Sequence, residues 1–464
     1  MLINSNSHPR GLSLPLTPFE RMMVHDNQPG YPMGIRVRLT LTGLVDLDKL
    51  AKAFDAIVQR HPLLYSRIRP APFGLQWQRA EPPALSLIER PRASLGYEYL
   101  EAPVIDLTQG AGLIVEAASG ETATTINLWV HHACSDGLGL SRFLREWMIG
   151  YENCLEGGRP DAGLGPAEIK PLLARNRFPL LPGTARERWQ RLFFGLKEAL
   201  DFGTQRPTAL GEPVAQGGID AGRPRHHLSV QVRGGGLFNL RRQATRLGCQ
   251  SNDIYIAAVL RAIARGRGSQ QPEAARETYS LLVPCNLRGS RQGDTPVANL
   301  VGYGFLARTA REIEARQTLI EGIGRDMAFI RDTNASLIFM RGLAVASWVP
   351  GLVPALLRSQ TCFATAVASN LGFLGRGMPA RLRRPDGKLV FGGALVEDIT
   401  GFTPVRPGTA LGILASHYAG TLTLGINLDA RRLTELDARA LATFIVEEMT
   451  DDEVLTREEP LSSR

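Results

Sequence analysis

His131-His132-Ala133-Cys134-Ser135-Asp136-Gly137 lies where a strand pattern gives way to a helix pattern. The run before it, Thr124 to Val130, is β-branched and aromatic, with Ile126, Leu128 and Val130 on one face. The run after it places Leu140, Phe143, Leu144 and Trp147 at helical spacing. Asp136 and Gly137 thus fall in the turn, Asp136 as a helix cap and Gly137 as the residue that lets the backbone turn tightly or approach a ligand. His132 continues the parity of Ile126, Leu128 and Val130, so it leaves the strand on the inward row, and His131 points the other way. A histidine at a strand end facing a cleft is placed for proton transfer near neutral pH.

The stretch reads HHxxxDG and resembles the signature of the chloramphenicol-acetyltransferase-like superfamily. That group includes condensation domains of peptide synthetases, wax ester synthases and alcohol acetyltransferases. Three further segments resemble the same group in the same order: Leu14 to Arg21, Val283 to Arg288 followed by Asn299 to Gly302, and Ser369 to Gly372. The D-F-G-W-G motif of the plant enzymes of the group is absent, which argues against that branch. The resemblance implies an α/β (α+β) fold of two chloramphenicol-acetyltransferase-like sandwich halves packed in a V, with the active site in a tunnel between them. It implies transfer of an acyl group from a thioester, on coenzyme A or the phosphopantetheine of an acyl or peptidyl carrier protein, to a hydroxyl or amine. In that reading His132 is the general base within a catalytic group of His131, His132, Asp136 and Gly137. Asp136 pairs with Arg288 to hold the loop, Gly137 offers its N–H to the oxyanion, and Asn370 is a further candidate for oxyanion or substrate contact. No tightly bound cofactor and no metal are expected.

Two other readings stand beside it. A condensation-like domain can lose catalysis and serve as a binding or docking module in a lipid or natural-product pathway; the intact motif argues against that. A hydrolase centred on Cys134 or Ser135 lacks a G-x-S-x-G elbow and an ordered triad. Cys134 holds a variable position of the motif, and sequence adjacency does not create nucleophile geometry. His226 and His227 are consecutive on a strand pattern and face opposite ways, which does not suit one metal ion. His25, His61 and His417 read as ordinary.

Composition agrees with a globular enzyme. The 464 residues are 44% hydrophobic and 21% charged, enough for two domains. The net charge of +8 comes from scattered arginines without interleaved aromatics, so no nucleic-acid partner is expected. Anionic co-substrates, acidic carrier proteins or peripheral contact with anionic lipid suit it better. The five cysteines are odd in number and have no metal-ligand spacing, which suits a reduced compartment. Met1 to Arg10 lacks an apolar core, so no signal peptide is read and a cytoplasmic location is expected.

Along the chain, Gly34 to Thr42 reads as a strand and the following helix is capped by Asp46. A Gly/Pro-rich stretch from Glu156 to Gly183 reads as the linker between halves, giving an N-terminal half at 1–180 and a C-terminal half at 181–464. Arg186 to Leu200 has a helical apolar stripe. Later strands are expected at 226–232, 278–283, 411–418 and 421–427, with helices at 252–263 and 433–449. Arg341 to Arg358 is the most apolar stretch, too short to span a bilayer, which needs about 20 apolar residues. It reads as a core helix pair broken by proline in preference to a lipid-facing or acyl-chain-lining element.

Overall fold

Thr17 opens the first helix with a capping box: its hydroxyl accepts from Glu20 N–H, and the Glu20 carboxylate accepts from Thr17 N–H. The computed structural model describes residues 13–450 apart from 90–102, most of 178–205, 212–224, 267–276, 290–294 and a few isolated positions. The helix read over 186–200 lies outside the described residues except at Arg186 and Trp189.

The first lobe starts with β1 (Ser13–Pro15), α1 (Pro18–Asp26), β2 (Gly34–Thr42) and α2 (Leu47–Val58). Asp46 caps α2 by accepting from Lys49 N–H, as its type and position predict. Then come β3 (Ser66–Ala71), β4 (Gly74–Arg79), β5 (Leu85–Glu89), β6 (Leu113–Ser119) and β7 (Ala123–His131), which leads into α3 (Gly137–Leu155). Strands β1, β4 and β3 form a small separate sheet. The Gly/Pro-rich stretch read as a linker is held against this lobe where it is described. Arg60 donates to the Gly165 oxygen, and Asn153 donates to the oxygens of Pro160 and Ala162. Arg175 makes a bidentate pair with the buried Glu20 carboxylate, which also accepts from Trp77 Nε1. A buried ion pair, invisible to a composition count, fixes this segment.

The second lobe is built from β8 (Arg225–Val232), α4 (Gly235–Arg246), α5 (Ser251–Gly266), β9 (Thr278–Asn286), β10 (Val301–Thr309), α6 (Arg316–Thr333), α7 (Ser336–Ala346) and α8 (Leu352–Arg358). After β11 (Ala366–Phe373) the chain leaves this lobe for β12 (Val390–Phe391) and β13 (Ala394–Phe402), and it returns with β14 (Leu411–Tyr418), β15 (Thr421–Asp429) and α9 (Glu435–Thr450). Its six-stranded sheet runs β10-β9-β11-β14-β15-β8, with β11 parallel to both neighbours. The hairpin of β14 and β15 turns at Ala419 and Gly420, both with positive φ. The core of α5 is apolar nearly all round, which fits a helix covered on several sides.

The other six-stranded sheet runs β12-β13-β2-β7-β6-β5. Its first two strands come from residues 390–402, so the chain crosses back over the division read near residue 180. At the crossing, the two sheets approach closely. A Cβ on Gly425 of β15 would collide with the Gly401 carbonyl oxygen of β13. Glycine is required there because backbone meets backbone. The architecture is a mixed α/β protein of two lobes. An apolar cavity of about 850 Å³ lies between them and is lined from both.

The apolar stretch 341–358 is a pair of helices, as its pattern predicts. The break falls at Ser347 to Gly351 and contains Pro350, with Gly351 left-handed, while Pro354 sits inside the first turn of α8. The expectation of a core pair is met on one face only. Leu343, Val353 and Leu357 are buried and line the cavity, whereas Val345, Trp348 and Val349 are exposed. No helix among the described residues is long and apolar enough to cross a membrane.

Candidate active site

The row of β2 and β7 that carries Leu39, Leu41 and Ile126 packs under α2 and α3 at one end. At the other end the same row presents Ile35, Val37 and, just past the strand, His132 to the cavity. His132 is the one histidine among the described residues that lines it. Burial holds its pKa below the ordinary histidine value, against the opposing effects of hydrogen bonds to the His132 and Ser135 backbone and of the Asp136 charge. The ring is therefore neutral near pH 7.

His131 occupies the opposite face and does not reach the cavity. It is buried, its Nδ1 accepts from Ala133 N–H at 3.1 Å, and burial pushes its pKa down to about 3. The sequence reading placed it with the catalytic group; the alternation of the strand instead makes it a support for the turn.

Asp136 caps α3 through Gly139 N–H at 2.8 Å. Its other contacts come from the second lobe. Arg288 donates to both carboxylate oxygens at 2.9 Å, and Leu300 N–H donates at 2.7 Å. Four donors converge on one carboxylate that is nearly out of solvent, so its oxygens are committed to holding shape. Gly137 is the first residue of α3 and lines the cavity, and first-turn amides of a helix lack an acceptor within it. A Cβ at this position would collide with Leu371 Cδ2 across the cavity wall.

Asn370 lies at the cavity edge. Its Oδ1 accepts from Gly372 N–H, and its Nδ2 donates to Asn252 Oδ1 at 2.9 Å. Those bonds shape the turn at Gly372 and tie β11 to α5.

A residue that pattern reading quoted but did not place in the site is Asn299. Its Nδ2 stands 2.8 Å from the His132 carbonyl oxygen and 3.1 Å from His132 Nδ1. It belongs to a strap, residues 295–300, that both lobes hold. From the first lobe Arg142 donates to Thr295 O and His61 Nδ1 accepts from Val297 N–H, and from the second Arg288 donates to Ala298 O. The residue behind two of these grips, Glu146, is held well below the usual carboxylate range. Burial opposes this, but hydrogen bonds from His61, Arg60 and Arg142 prevail. His61 is thus a packed structural histidine, as its sequence context suggested.

Cys134 and Ser135 are both fully buried and line no part of the cavity. Burial pushes the Cys134 thiol well above its ordinary pKa, and the Ser135 hydroxyl donates to the Asp136 carbonyl. Neither is poised as a nucleophile. Cys134→Ala is expected to leave turnover near that of the native chain and to cost about 1 kcal/mol of stability. A folded but inactive Cys134→Ala protein in the same assay would restore the thiol reading.

No protein-family model matches the chain. Among curated proteins it is similar to a phthiocerol/phthiodiolone dimycocerosyl transferase of Mycobacterium ulcerans, 28% identical over 160 residues; these make up 33% of this chain and 37% of that one. The match thus spans little more than a third of that relative's length. Among solved structures, the first condensation domain of the calcium-dependent antibiotic synthetase, in complex with a substrate analogue, aligns with a TM-score of 0.66 at 18% identity, covering 95% of this chain and 98% of that one. A mutant starter condensation domain of rhizomide synthetase RzmA in complex with C8-CoA aligns with a TM-score of 0.64 at 14% identity, covering 95% of each chain.

Proposed function

We propose, from the condensation-domain fold that the chain adopts, that it is an acyltransferase working in lipid or natural-product metabolism. It moves an acyl group from a thioester of coenzyme A or a carrier protein to a hydroxyl or amine. The observation that carries this reading is a neutral histidine, His132, at the wall of an apolar cavity of about 850 Å³ lined from both lobes. The likeness to a dimycocerosyl transferase and to a condensation domain in complex with C8-CoA supports acyl transfer and a thioester donor.

The chemistry follows from the residues. His132 accepts the proton of the acceptor hydroxyl or amine as its lone pair attacks the thioester carbonyl. The carbonyl electron pair moves to oxygen, and the Gly137 N–H at the helix start stabilises that oxyanion. Collapse expels the thiolate, which takes the proton back from His132. The products are an ester or amide and a free thiol, with no covalent enzyme intermediate. The apolar walls keep water from the thioester. Asn299 holds the main chain of His132, and the Asp136–Arg288 pair holds the turn beneath it.

The test is release of free thiol from a panel of acyl thioesters that depends on added alcohol or amine. The acid limb of kcat/KM should lie below pH 6.5, the ordinary histidine value, because burial lowers the pKa of His132. The neutral ring is the active form, so rate is lost only as pH falls through that lowered pKa. A limb above pH 6.5 that disappears with His132 would contradict the assigned environment. Thiol release that is indifferent to the acceptor would point to hydrolysis instead.

A further inference from the structure

The hairpin of α7 and α8 has two apolar sides. Its inner side closes the cavity with Leu343, Ala346, Val353 and Leu357. Its outer side and tip show Val345 at 58%, Trp348 at 82% and Val349 at 55% exposure. Leu356 belongs to both sides: it lines the cavity and is itself 44% exposed. Gly342, also exposed, lines the cavity from α7. The cavity therefore reaches the surface between the two helices, next to the exposed apolar tip.

The charge that the sequence supplies along this hairpin has one sign. Between Asp332 and Asp386 it holds no acidic residue and six arginines, of which Arg341 on α7 and Arg358 at the end of α8 are exposed. Helix α1 packs across both helices. Its two inner acids, Glu20 and Asp26, are buried, and Asp26 is paired with Arg406. What α1 adds to the rim is Arg21 and His25, and His25 feels the charges of Arg21 and Arg358. An exposed tryptophan at the tip of an apolar hairpin whose two helices carry exposed arginines is complementary to a bilayer interface. The indole sits among headgroups, the aliphatic side chains enter the acyl boundary, and the guanidiniums meet anionic lipid.

We propose that the α7–α8 hairpin seats the protein on an anionic membrane surface, with Trp348 and Val349 in the interface and the cavity open toward the lipid at Leu356. A lipid-borne acyl chain or acceptor then enters the cavity without crossing water. The entry route rests on the acyl-transfer reading, whereas the docking does not.

The test is flotation of the full chain with vesicles of phosphatidylcholine, with and without phosphatidylglycerol. The native chain is expected to float with phosphatidylglycerol vesicles and to be released by salt. Trp348→Ser with Val349→Ser, two exposed positions that line no part of the cavity, should weaken partitioning about 10- to 100-fold with an unchanged melting temperature. Arg341→Gln and Arg358→Gln should each weaken it about fivefold. Absence of binding by the native chain, or full binding by the tip variant, overturns the proposal. So does a native dimer that the tip variant turns into a monomer without any vesicle binding, since the occupant is then a second copy. A tip variant that raises KM for a carrier-borne donor while vesicle binding is absent overturns it in favour of a carrier protein. Vesicle binding is read without turnover, so failure of acyl transfer and failure of docking are distinguishable.

Discussion

His132→Ala is expected to lower acyl transfer by about 10²–10⁴-fold while the protein folds as before. The loss follows from removing the base at the cavity wall. The fold survives because the ring is not part of the packed core: it lines a cavity, and its partner Asn299 keeps its shorter bond, 2.8 Å, to the His132 main-chain oxygen. The measurement is single-turnover thiol release, with the thermal transition recorded on the same sample. Near-native turnover by a folded variant would remove His132 from the mechanism. The chain would then be read as a docking module or as an enzyme that relies on positioning alone.

Asp136→Ala should produce the opposite pairing of effects, a large loss of stability with a loss of rate that follows from it. The carboxylate accepts from Gly139 N–H, Leu300 N–H and both terminal nitrogens of Arg288, and its removal strands two backbone amides and the Arg288 cation in a poorly solvated place. Breaking a buried pair from one side costs about 3–5 kcal/mol, which is a large part of a typical folding free energy of about 5–15 kcal/mol. Chemical denaturation should show the midpoint falling with little change in slope. Asp136→Asn, which keeps an acceptor for the helix cap, should lose less. An Asp136→Ala protein as stable as the native chain and yet inactive would give the carboxylate a direct part in the chemistry.

Much of this site was legible because its determinants are local. The switch from period two to helical period marks the turn, parity sends His132 and His131 to opposite faces, and residue type identifies Asp46 and Asp136 as caps. Arg288 reaches Asp136 over 152 positions, a contact that residue spacing alone does not give and that the family resemblance supplied. What stayed hidden depends on long-range packing with no periodic trace. Asn299 touches His132 across 167 positions, and one amide among many carries no signal of that. Arg175 turns a Gly/Pro-rich stretch into part of the first lobe through a pair with Glu20 that composition does not reveal. Hydrophobicity marked 341–358 but not which side faces in, because both sides are apolar and only the fold decides which one meets the cavity.

The return of β13 to the first sheet has a consequence for how the protein is made. Thr42 hydrogen-bonds to Glu397 across 355 positions, so the β13 side of β2 stays an unpaired edge while four of the second sheet's six strands are synthesised. The first lobe cannot finish in the order in which it emerges from the ribosome. Closing so long a loop is slow, and the exposed edge offers a template for wrong pairing until it closes. Completion of the first sheet also delivers β14 and β15 to their places, because β13 packs against both. The two lobes are thus bound into one cooperative folding unit. A cut near residue 180 would divide the sequence tidily, yet it would strip the first sheet of β12 and β13 and leave those two strands on a piece that holds no sheet for them to join.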